Sequence, residues 1–181
     1  MKNLILRTNS LVLRPVEIND YNALLKVVTD VDSVGKIKGF PIDSNELKNM
    51  LDEYETEWLY GCNDQHTFAF AVLYNKLVIG MVCIYLNFID AEMNEAELGY
   101  MLNKKYWNRG LGKEAVIKVI EYSVNCLNVK RIIGKTDSTN LNSCRLMEKL
   151  GMYKVDEWIE KDEDENGSEV SRSVVKYILE I

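Results

Sequence analysis

The fold of this chain is decided by one segment, Tyr106-Trp107-Asn108-Arg109-Gly110-Leu111-Gly112-Lys113-Glu114-Ala115. Gly110 and Gly112 open a stretch in which apolar residues recur with helical spacing up to Leu127. Backbone N–H groups at the start of a helix lack intrahelical acceptors, and glycine lets a ligand approach them closely. The helix dipole adds positive character there, and Arg109 and Lys113 add charge. The segment therefore predicts a diphosphate site at a helix start.

The two glycines also allow other interpretations. They could simply form a loop, since glycine is the commonest residue at loops. Gly110, Gly112 and Ala115 also satisfy the dinucleotide fingerprint GxGxxG/A, which predicts a dinucleotide-dependent enzyme. That fingerprint requires an N-terminal βαβ unit and an acidic residue about twenty positions later, where this chain has Lys130 and Arg131. The context therefore disfavours the dinucleotide alternative.

Strands and helices on either side of the segment predict a single mixed sheet. The predicted elements before it are a strand at Leu11–Arg14, a helix that begins near Asn19 or Asp20, a helix that begins at Asp43 or Ser44, and strands at Thr67–Tyr74, Leu77–Phe88 and Glu95–Leu102. Those after it are a strand at Arg131–Thr136, a helix from Asn140 to Leu150 that ends at Gly151, and a hairpin of Met152–Ile159 and Val170–Ile181. A helix between two adjacent strands makes those strands parallel. We expect an α/β (α+β) fold with six to seven mostly antiparallel strands, a central parallel pair and about four helices.

Composition limits the classes of protein. With 181 residues, 47% hydrophobic, 28% charged and no internal repeat, the chain is expected to form one domain, residues 1–181. A net charge of -6 argues against nucleic-acid binding, which requires a large basic face. The apolar trio Leu4–Leu6 is too short for a signal-peptide core or a membrane span, so we expect a cytoplasmic protein that does not bind membranes. No metal site is expected, because the only histidine, His66, has no cysteine at finger-like spacing.

Taken with the order of elements, the segment resembles the coenzyme A pyrophosphate loop of the Gcn5-related N-acetyltransferases (GNAT), whose motif is Arg/Gln-x-x-Gly-x-Gly/Ala. Trp107 occupies the Arg/Gln position, and tryptophan after an aromatic residue such as Tyr106 is common in the branch similar to the ribosomal-protein N-terminal acetyltransferases RimJ and RimL. The resemblance implies acetyl-coenzyme A as acetyl donor. The implied loop residues are Asn108, Arg109, Gly110, Leu111, Gly112 and Lys113.

Two further blocks carry the resemblance. Residues 96–102 resemble the fourth strand of that branch, which diverges from the fifth; main-chain groups near Met101 and Leu102 are implied to bind the pantetheine arm and thioester. Residues 140–152 resemble the helix Asn-x-x-Ser/Ala-x-x-Leu-x-Glu-Lys-x-Gly-Phe. In it, Asn140 is implied to contact the coenzyme arm and Ser143 to lie near the sulfur.

The resemblance implies an N-acetyltransferase that acts by direct attack of an amine on the thioester. Glu97, directly or through a water, is implied to accept the amine proton, and Ser143 to hydrogen-bond or protonate the sulfur. Taken singly, Glu97 could be a surface residue and Asn140 only a helix cap. A non-catalytic acyl-coenzyme A-binding module thus stays an alternative.

The acceptor is implied only in outline. A protein N-terminal α-amine or a small amine would enter beside residues 18–40 and the acidic loop at 160–167. The protein is expected to be a monomer or a homodimer.

Overall fold

The computed structural model of this chain describes residues 4–34, 42–60, 67–87, 94–163 and 169–181. The strands are β1 (Leu6–Arg7), β2 (Leu11–Pro15), β3 (Thr67–Tyr74), β4 (Leu77–Asn87), β5 (Glu95–Leu102), β6 (Arg131–Asp137), β7 (Tyr153–Glu163) and β8 (Glu169–Glu180). They form one sheet in the order β1-β2-β3-β4-β5-β6-β8-β7. Among the described strands, β5 and β6 alone run parallel to each other, which confirms the predicted central parallel pair.

In the part of the chain that the structure describes, five α-helices cover the two faces of the sheet. They are α1 (Tyr21–Val28), α2 (Val31–Val34), α3 (Ser44–Tyr60), α4 (Leu111–Leu127) and α5 (Leu141–Lys149). The mixed fold was predicted from the sequence, but the two-residue β1 and the four-residue α2 were not. Both are too short for a periodic pattern to mark them.

The core lies on both faces of the sheet. On one face, Leu24 of α1 and Leu47 of α3 pack over the strand residues Ala69 and Met81. On the other face, apolar residues of α4, together with Met147 of α5, cover the opposite side of the central strands. The helical spacing of apolar residues predicted α3 because these residues form the face of the helix that packs on the sheet.

Local geometry agrees with the turn residues of the sequence. Asn75 and Lys76 both have positive φ, as a two-residue hairpin turn of this kind requires, and the register between β3 and β4 shifts beside Gly80, where a bulge was predicted. Strand β7 continues to Glu163, so the predicted loop at 160–167 begins within a strand. The rest of that loop, the end of the predicted strand at Phe88 and His66 lie outside the described residues.

Candidate active site

Strands β5 and β6 separate part-way along their length. Their pairing covers three residue pairs and ends at Glu97 opposite Ile133. Strand β5 remains paired with β4 along its whole length, so the separation leaves its other edge open. We call the gap between residues 98–102 of β5 and residues 134–137 of β6 the wedge. The predicted divergence of these two strands is thus present.

Main-chain groups of β5 face the wedge at alternate residues. The Asn103 N–H donates to the Ile79 carbonyl on β4 (2.8 Å). Because hydrogen-bonding direction alternates along an antiparallel pair, the main chain of Met101 also faces β4, whereas the N–H groups of Tyr100 and Leu102 face the wedge. The sequence predicted that main-chain groups near Met101 and Leu102 bind the ligand. The strand register instead directs the N–H groups of Tyr100 and Leu102 toward the wedge.

Trp107 fixes the end of β5. Its indole N–H donates to the Leu102 carbonyl at 2.7 Å. That bond leaves the Leu102 N–H as the main-chain group of this residue available to a ligand. The tryptophan at the first motif position thus has a structural role that its resemblance did not indicate.

Helix α4 begins without a side-chain cap. Its N-cap residue is Gly110, whose φ is 77°, and the Glu114 N–H makes a helical bond back to the Gly110 carbonyl (3.0 Å). The N–H groups of residues 111–113 therefore have no intrahelical acceptor. A Cβ on Gly110 would meet no atom within 4 Å, and one on Gly112 only Leu146 Cδ2 at 4.0 Å. The space in front of this helix start is open to a ligand.

A cavity of about 710 Å³ runs along the helix start and the wedge. Five basic side chains line it, and three of them belong to the two helices: Lys113 of α4, and Arg145 and Lys149 of α5. We call these three the basic end. Of these three, the sequence indicated only Lys113. Arg145 and Lys149 reach the cavity because α5 lies beside α4. Uncapped N–H groups and positive charge together suit a diphosphate.

The remaining predicted loop residues take different places. Asn108, with a φ of 57°, lines the cavity. Arg109 and Leu111 lie beside the cavity rather than in its lining: the Arg109 guanidinium is 5.7 Å from the centre of the Tyr106 ring, and the Leu111 side chain is 5% exposed in the core. Leu111 can therefore offer a ligand its N–H but not its side chain.

A pair of hydroxyl groups lies between β5 and α5. Ser143 Oγ is 2.7 Å from Tyr100 Oη, and both residues line the cavity. Burial raises the pKa of Tyr100 to about 12, so its hydroxyl is protonated at neutral pH. Asn140 caps α5 by accepting from the Ser143 N–H at 3.3 Å, and it too lines the cavity. The sequence pointed to Asn140 and Ser143 but not to Tyr100.

Glu97 lies where β5 and β6 part. Its carboxylate is 2.7 Å from the Lys135 ammonium of β6, and both side chains line the cavity. The Glu97 side chain is 42% exposed. A ligand in the cavity can therefore reach this carboxylate, which already has a cation beside it.

Two further polar pairs line the same cavity wholly or in part. Tyr85, a lining residue, shares a hydrogen bond of 3.1 Å with Tyr54 of α3, and its ring lies so close to β5 that a Cβ on Gly99 would be 3.1 Å from it. Arg172 of β8 donates to the Glu160 carboxylate of β7 at 2.6 Å. The wall formed by β4, β7 and β8 is thus aromatic and charge-paired.

The described residues contain neither a cluster of metal-ligating side chains nor a membrane-spanning helix. Within the ranges that the structure describes, no group of three or more His, Cys, Asp or Glu side chains could hold a metal ion. No α-helix in that same part of the chain is long and apolar enough to cross a membrane.

A comparison with family models decides the family. Residues 10–153 match the model described as the acetyltransferase (GNAT) domain. This chain belongs to the GNAT acetyltransferases. The resemblance carried by the loop, the diverging strand and the α5 helix is thereby confirmed, and this acetyltransferase transfers the acetyl group of acetyl-coenzyme A to an amine.

Similar proteins agree with the assignment. The uncharacterized N-acetyltransferase p20 of Bacillus licheniformis is 31% identical over 150 residues, which are 82% of each chain. The structure of RimL, the ribosomal L7/L12 α-N-protein acetyltransferase, in complex with coenzyme A superimposes with a TM-score of 0.80 at 15% identity, covering 98% of each chain. The microcin C7 self-immunity acetyltransferase MccE, in complex with acetyl-coenzyme A and AMP, gives 0.74 at 18% identity, covering 96% of this chain and 94% of MccE. At these identities the two structures show a shared fold.

The residues of the acetyltransferase fit its acetyl donor. A Cβ at residue 112 would project into open space in front of uncapped N–H groups, where a diphosphate needs close approach. The wedge offers main-chain N–H groups to an arm that carries amides. The dinucleotide alternative loses its structural basis, because the βαβ unit formed by β5, α4 and β6 lies in the middle of the chain rather than at its N-terminal end, and its first strand is also paired antiparallel with β4.

Proposed function

We propose that this acetyltransferase acetylates the N-terminal α-amine of a protein. The observation that carries the proposal is the contact between Glu97 and Lys135, at 2.7 Å. A carboxylate is a much weaker base than an amine, and this one is partly exposed and already ion-paired with Lys135. It suits an amine that is already partly neutral at physiological pH.

The ordinary pKa values of amines decide between the acceptor types. An α-amine has a pKa of about 7.7–8.0, whereas a lysine side chain has one of about 10.4. Near pH 7.5 the neutral fraction of an α-amine therefore exceeds that of lysine by roughly 200- to 300-fold. Only the neutral form attacks a thioester, so an enzyme with a weak base gains most with α-amines.

Each residue has a proposed role in the transfer. Acetyl-coenzyme A supplies the acetyl thioester. Glu97 accepts the proton of the amine nitrogen, directly or through one water. The N–H groups of Tyr100 and Leu102 that face the wedge are roughly 7 Å apart on an extended strand, so one would donate to the thioester carbonyl oxygen and the other to the pantetheine arm. Ser143 donates a hydrogen bond to the sulfur. The proximity of the two substrates supplies a large part of the acceleration.

The proposed binding of the donor uses backbone more than side chains. The N–H groups of residues 111–113 hold the diphosphate, with the basic end beside it. Asn108 and Asn140 line the path from the diphosphate to the wedge. Met101 contributes by holding β5 in register with β4.

A small amine is the second candidate acceptor. MccE, which has the same fold, was solved in complex with acetyl-coenzyme A and AMP. In this chain the ion pairs Glu97–Lys135 and Glu160–Arg172 both line the cavity. Paired opposite charges of this kind suit a compact polar acceptor as well as a peptide.

The decisive experiment measures release of the coenzyme A thiol with matched peptides. One peptide has a free α-amine and no lysine, and the other has an acetylated N-terminus and one lysine. At pH 7.5 we expect the first to react at least about 100-fold faster, in line with its neutral fraction. A lysine peptide that reacts as fast would refute the α-amine proposal, and a polyamine that reacts faster than both would favour the small-amine candidate.

A calorimetric titration with coenzyme A accompanies the panel. Binding without thiol release for any amine would mean that the chain is a non-catalytic acyl-coenzyme A-binding module. Absence of both would remove the proposed donor site as well.

The wider setting is part of the proposal. Residues 1–181 act as one domain, as a monomer or a homodimer, without nucleic acid or membrane. A cytoplasmic location is supported by Cys83, Cys126 and Cys144, which are free thiols as a reducing compartment maintains them. Size-exclusion chromatography with light scattering measures the oligomeric state.

A further inference from the structure

The Ser143 hydroxyl is held by the sheet and not only by its own helix. Tyr100 Oη on β5 lies 2.7 Å from Ser143 Oγ and 3.4 Å from the Ser143 carbonyl oxygen. The Ser143 N–H is fixed by Asn140 at 3.3 Å. Contacts from two elements therefore set the position of the residue and hold its hydroxyl oxygen beside Tyr100 Oη, in a hydrogen bond that either hydroxyl could donate.

We propose that Tyr100 is a positioning residue, which donates its hydroxyl hydrogen to Ser143 Oγ and thereby turns the Ser143 hydrogen toward the sulfur of the departing coenzyme A. The proposal rests on the proposed role of Ser143. A phenol is more acidic than an alkyl hydroxyl, so within this pair Tyr100 is the better donor and Ser143 the better acceptor. A serine hydroxyl has a single hydrogen. When Tyr100 donates to a lone pair of Ser143 Oγ across the 2.7 Å contact, the Ser143 hydrogen points away from Tyr100 and into the cavity.

The raised pKa of Tyr100 argues against a role as proton donor to the departing thiolate. When the carbon–sulfur bond breaks, its electron pair stays on the sulfur, and the new carbon–nitrogen bond releases a proton to Glu97. A thiol has an ordinary pKa of about 8.5, whereas burial raises the pKa of Tyr100 to about 12. Transfer of the phenolic proton to the thiolate is thus disfavoured roughly a thousandfold. Tyr100 keeps its proton, Ser143 stabilises the thiolate by a hydrogen bond, and solvent protonates it.

Kinetics of three variants test the pair. Tyr100→Phe and Ser143→Ala should each lower kcat about 10-fold, the usual size for loss of one hydrogen bond to a charged group. The double variant should be no slower than Ser143→Ala, because Tyr100 acts through Ser143. The KM for acetyl-coenzyme A should change less than about twofold. A wild-type kcat in Tyr100→Phe, or losses that multiply in the double variant, would overturn the proposal.

A second readout needs no turnover. A hydrogen bond to the thiolate lowers the pKa of the bound coenzyme A thiol, so coenzyme A should gain affinity relative to acetyl-coenzyme A as pH rises toward about 8.5. We expect that gain to be about 10-fold or more in the wild type. It should shrink equally in Tyr100→Phe and Ser143→Ala. A gain that persists in both variants would overturn the proposal.

The other charges near the pair are the same in every variant. They are the basic end, Asp137 and the ion pairs Glu97–Lys135 and Glu160–Arg172, so their influence on the thiol cancels in the comparison.

The matched control is Tyr122→Phe. This tyrosine is 7% exposed in the core and packs against aromatic residues of β3, so its variant removes a hydroxyl from a residue that does not line the cavity. It should retain wild-type kcat, and thermal unfolding should show that Tyr100→Phe is as well folded as this control. If the wild-type protein releases thiol and Tyr100→Phe has no effect, only the positioning role of Tyr100 is refuted. If coenzyme A binds but no amine leads to thiol release, the proposed function is refuted, and the pH-dependent titrations still test the contact between Tyr100 and Ser143.

Discussion

Replacing Gly112 by aspartate should separate folding from cofactor binding. The residue occupies the second position of α4, and a Cβ there would meet only Leu146 Cδ2 at 4.0 Å. Aspartate therefore fits without displacing protein atoms. Glycine is a poor helix residue, and a carboxylate in the first turn interacts favourably with the helix dipole, so we expect the free energy of unfolding to rise by about 0.5–1 kcal/mol.

The same carboxylate should prevent the diphosphate from binding. Its oxygens would lie roughly 4 Å from phosphate oxygens held by the N–H groups of residues 111–113. Two unit charges at that distance repel by about 4 kcal/mol at an effective dielectric constant of 20, and by less where water has access. We expect coenzyme A affinity to fall by about 30- to 1,000-fold, corresponding to about 2–4 kcal/mol.

Calorimetric titration with coenzyme A, paired with urea unfolding, measures both effects. Gly112→Asn is the matched control, because asparagine has the size of aspartate without its charge; it should lose less than about 10-fold, and only the aspartate variant should recover affinity in high salt. Wild-type affinity in Gly112→Asp would refute the assignment of the diphosphate to this helix start.

Three further outcomes follow from the geometry. Glu97→Gln should lower kcat about 100-fold with unchanged coenzyme A affinity; steady-state kinetics measures this, and an unaltered kcat across pH would remove Glu97 as the base. Trp107→Phe leaves the Leu102 carbonyl without its 2.7 Å donor and should weaken acetyl-coenzyme A binding about 5- to 10-fold in a calorimetric titration, a loss that cannot occur if this end of β5 lies outside the donor site. Gly80→Ala should reduce the free energy of unfolding by about 1–3 kcal/mol, since its Cβ would overlap the Met101 carbonyl; a urea midpoint equal to that of the wild type would contradict the close approach of β4 and β5.

The mixed sheet and the helix start were predictable because their signals are local. Two glycines before a periodic apolar stretch mark the start of α4, and Gly151, whose φ is 83°, marks the end of α5. The family followed from three such blocks in the right order. Short elements such as β1 and α2 carry no periodic signal and were missed.

The missing parts of the site are long-range contacts. Tyr100 reads as one apolar residue of an alternating strand, and nothing near it in the chain points to Ser143, 43 positions away. Lys135 likewise meets Glu97 only because β5 and β6 are adjacent. Arg145 and Lys149 resemble solvated helix residues until α5 packs beside α4. Pairwise contacts of this kind depend on sheet order, which a single sequence does not encode locally.

The open edge of β5 offers peptide groups rather than side chains. A peptide N–H is chemically the same whichever amino acid carries it, so this part of the donor site does not depend on residue identity. Mutations along the strand that preserve its pairing with β4 should leave the hydrogen-bonding pattern intact. Acetyl-donor recognition in this architecture can therefore survive extensive sequence drift, and the side chains of the strand remain free to adapt to different acceptors.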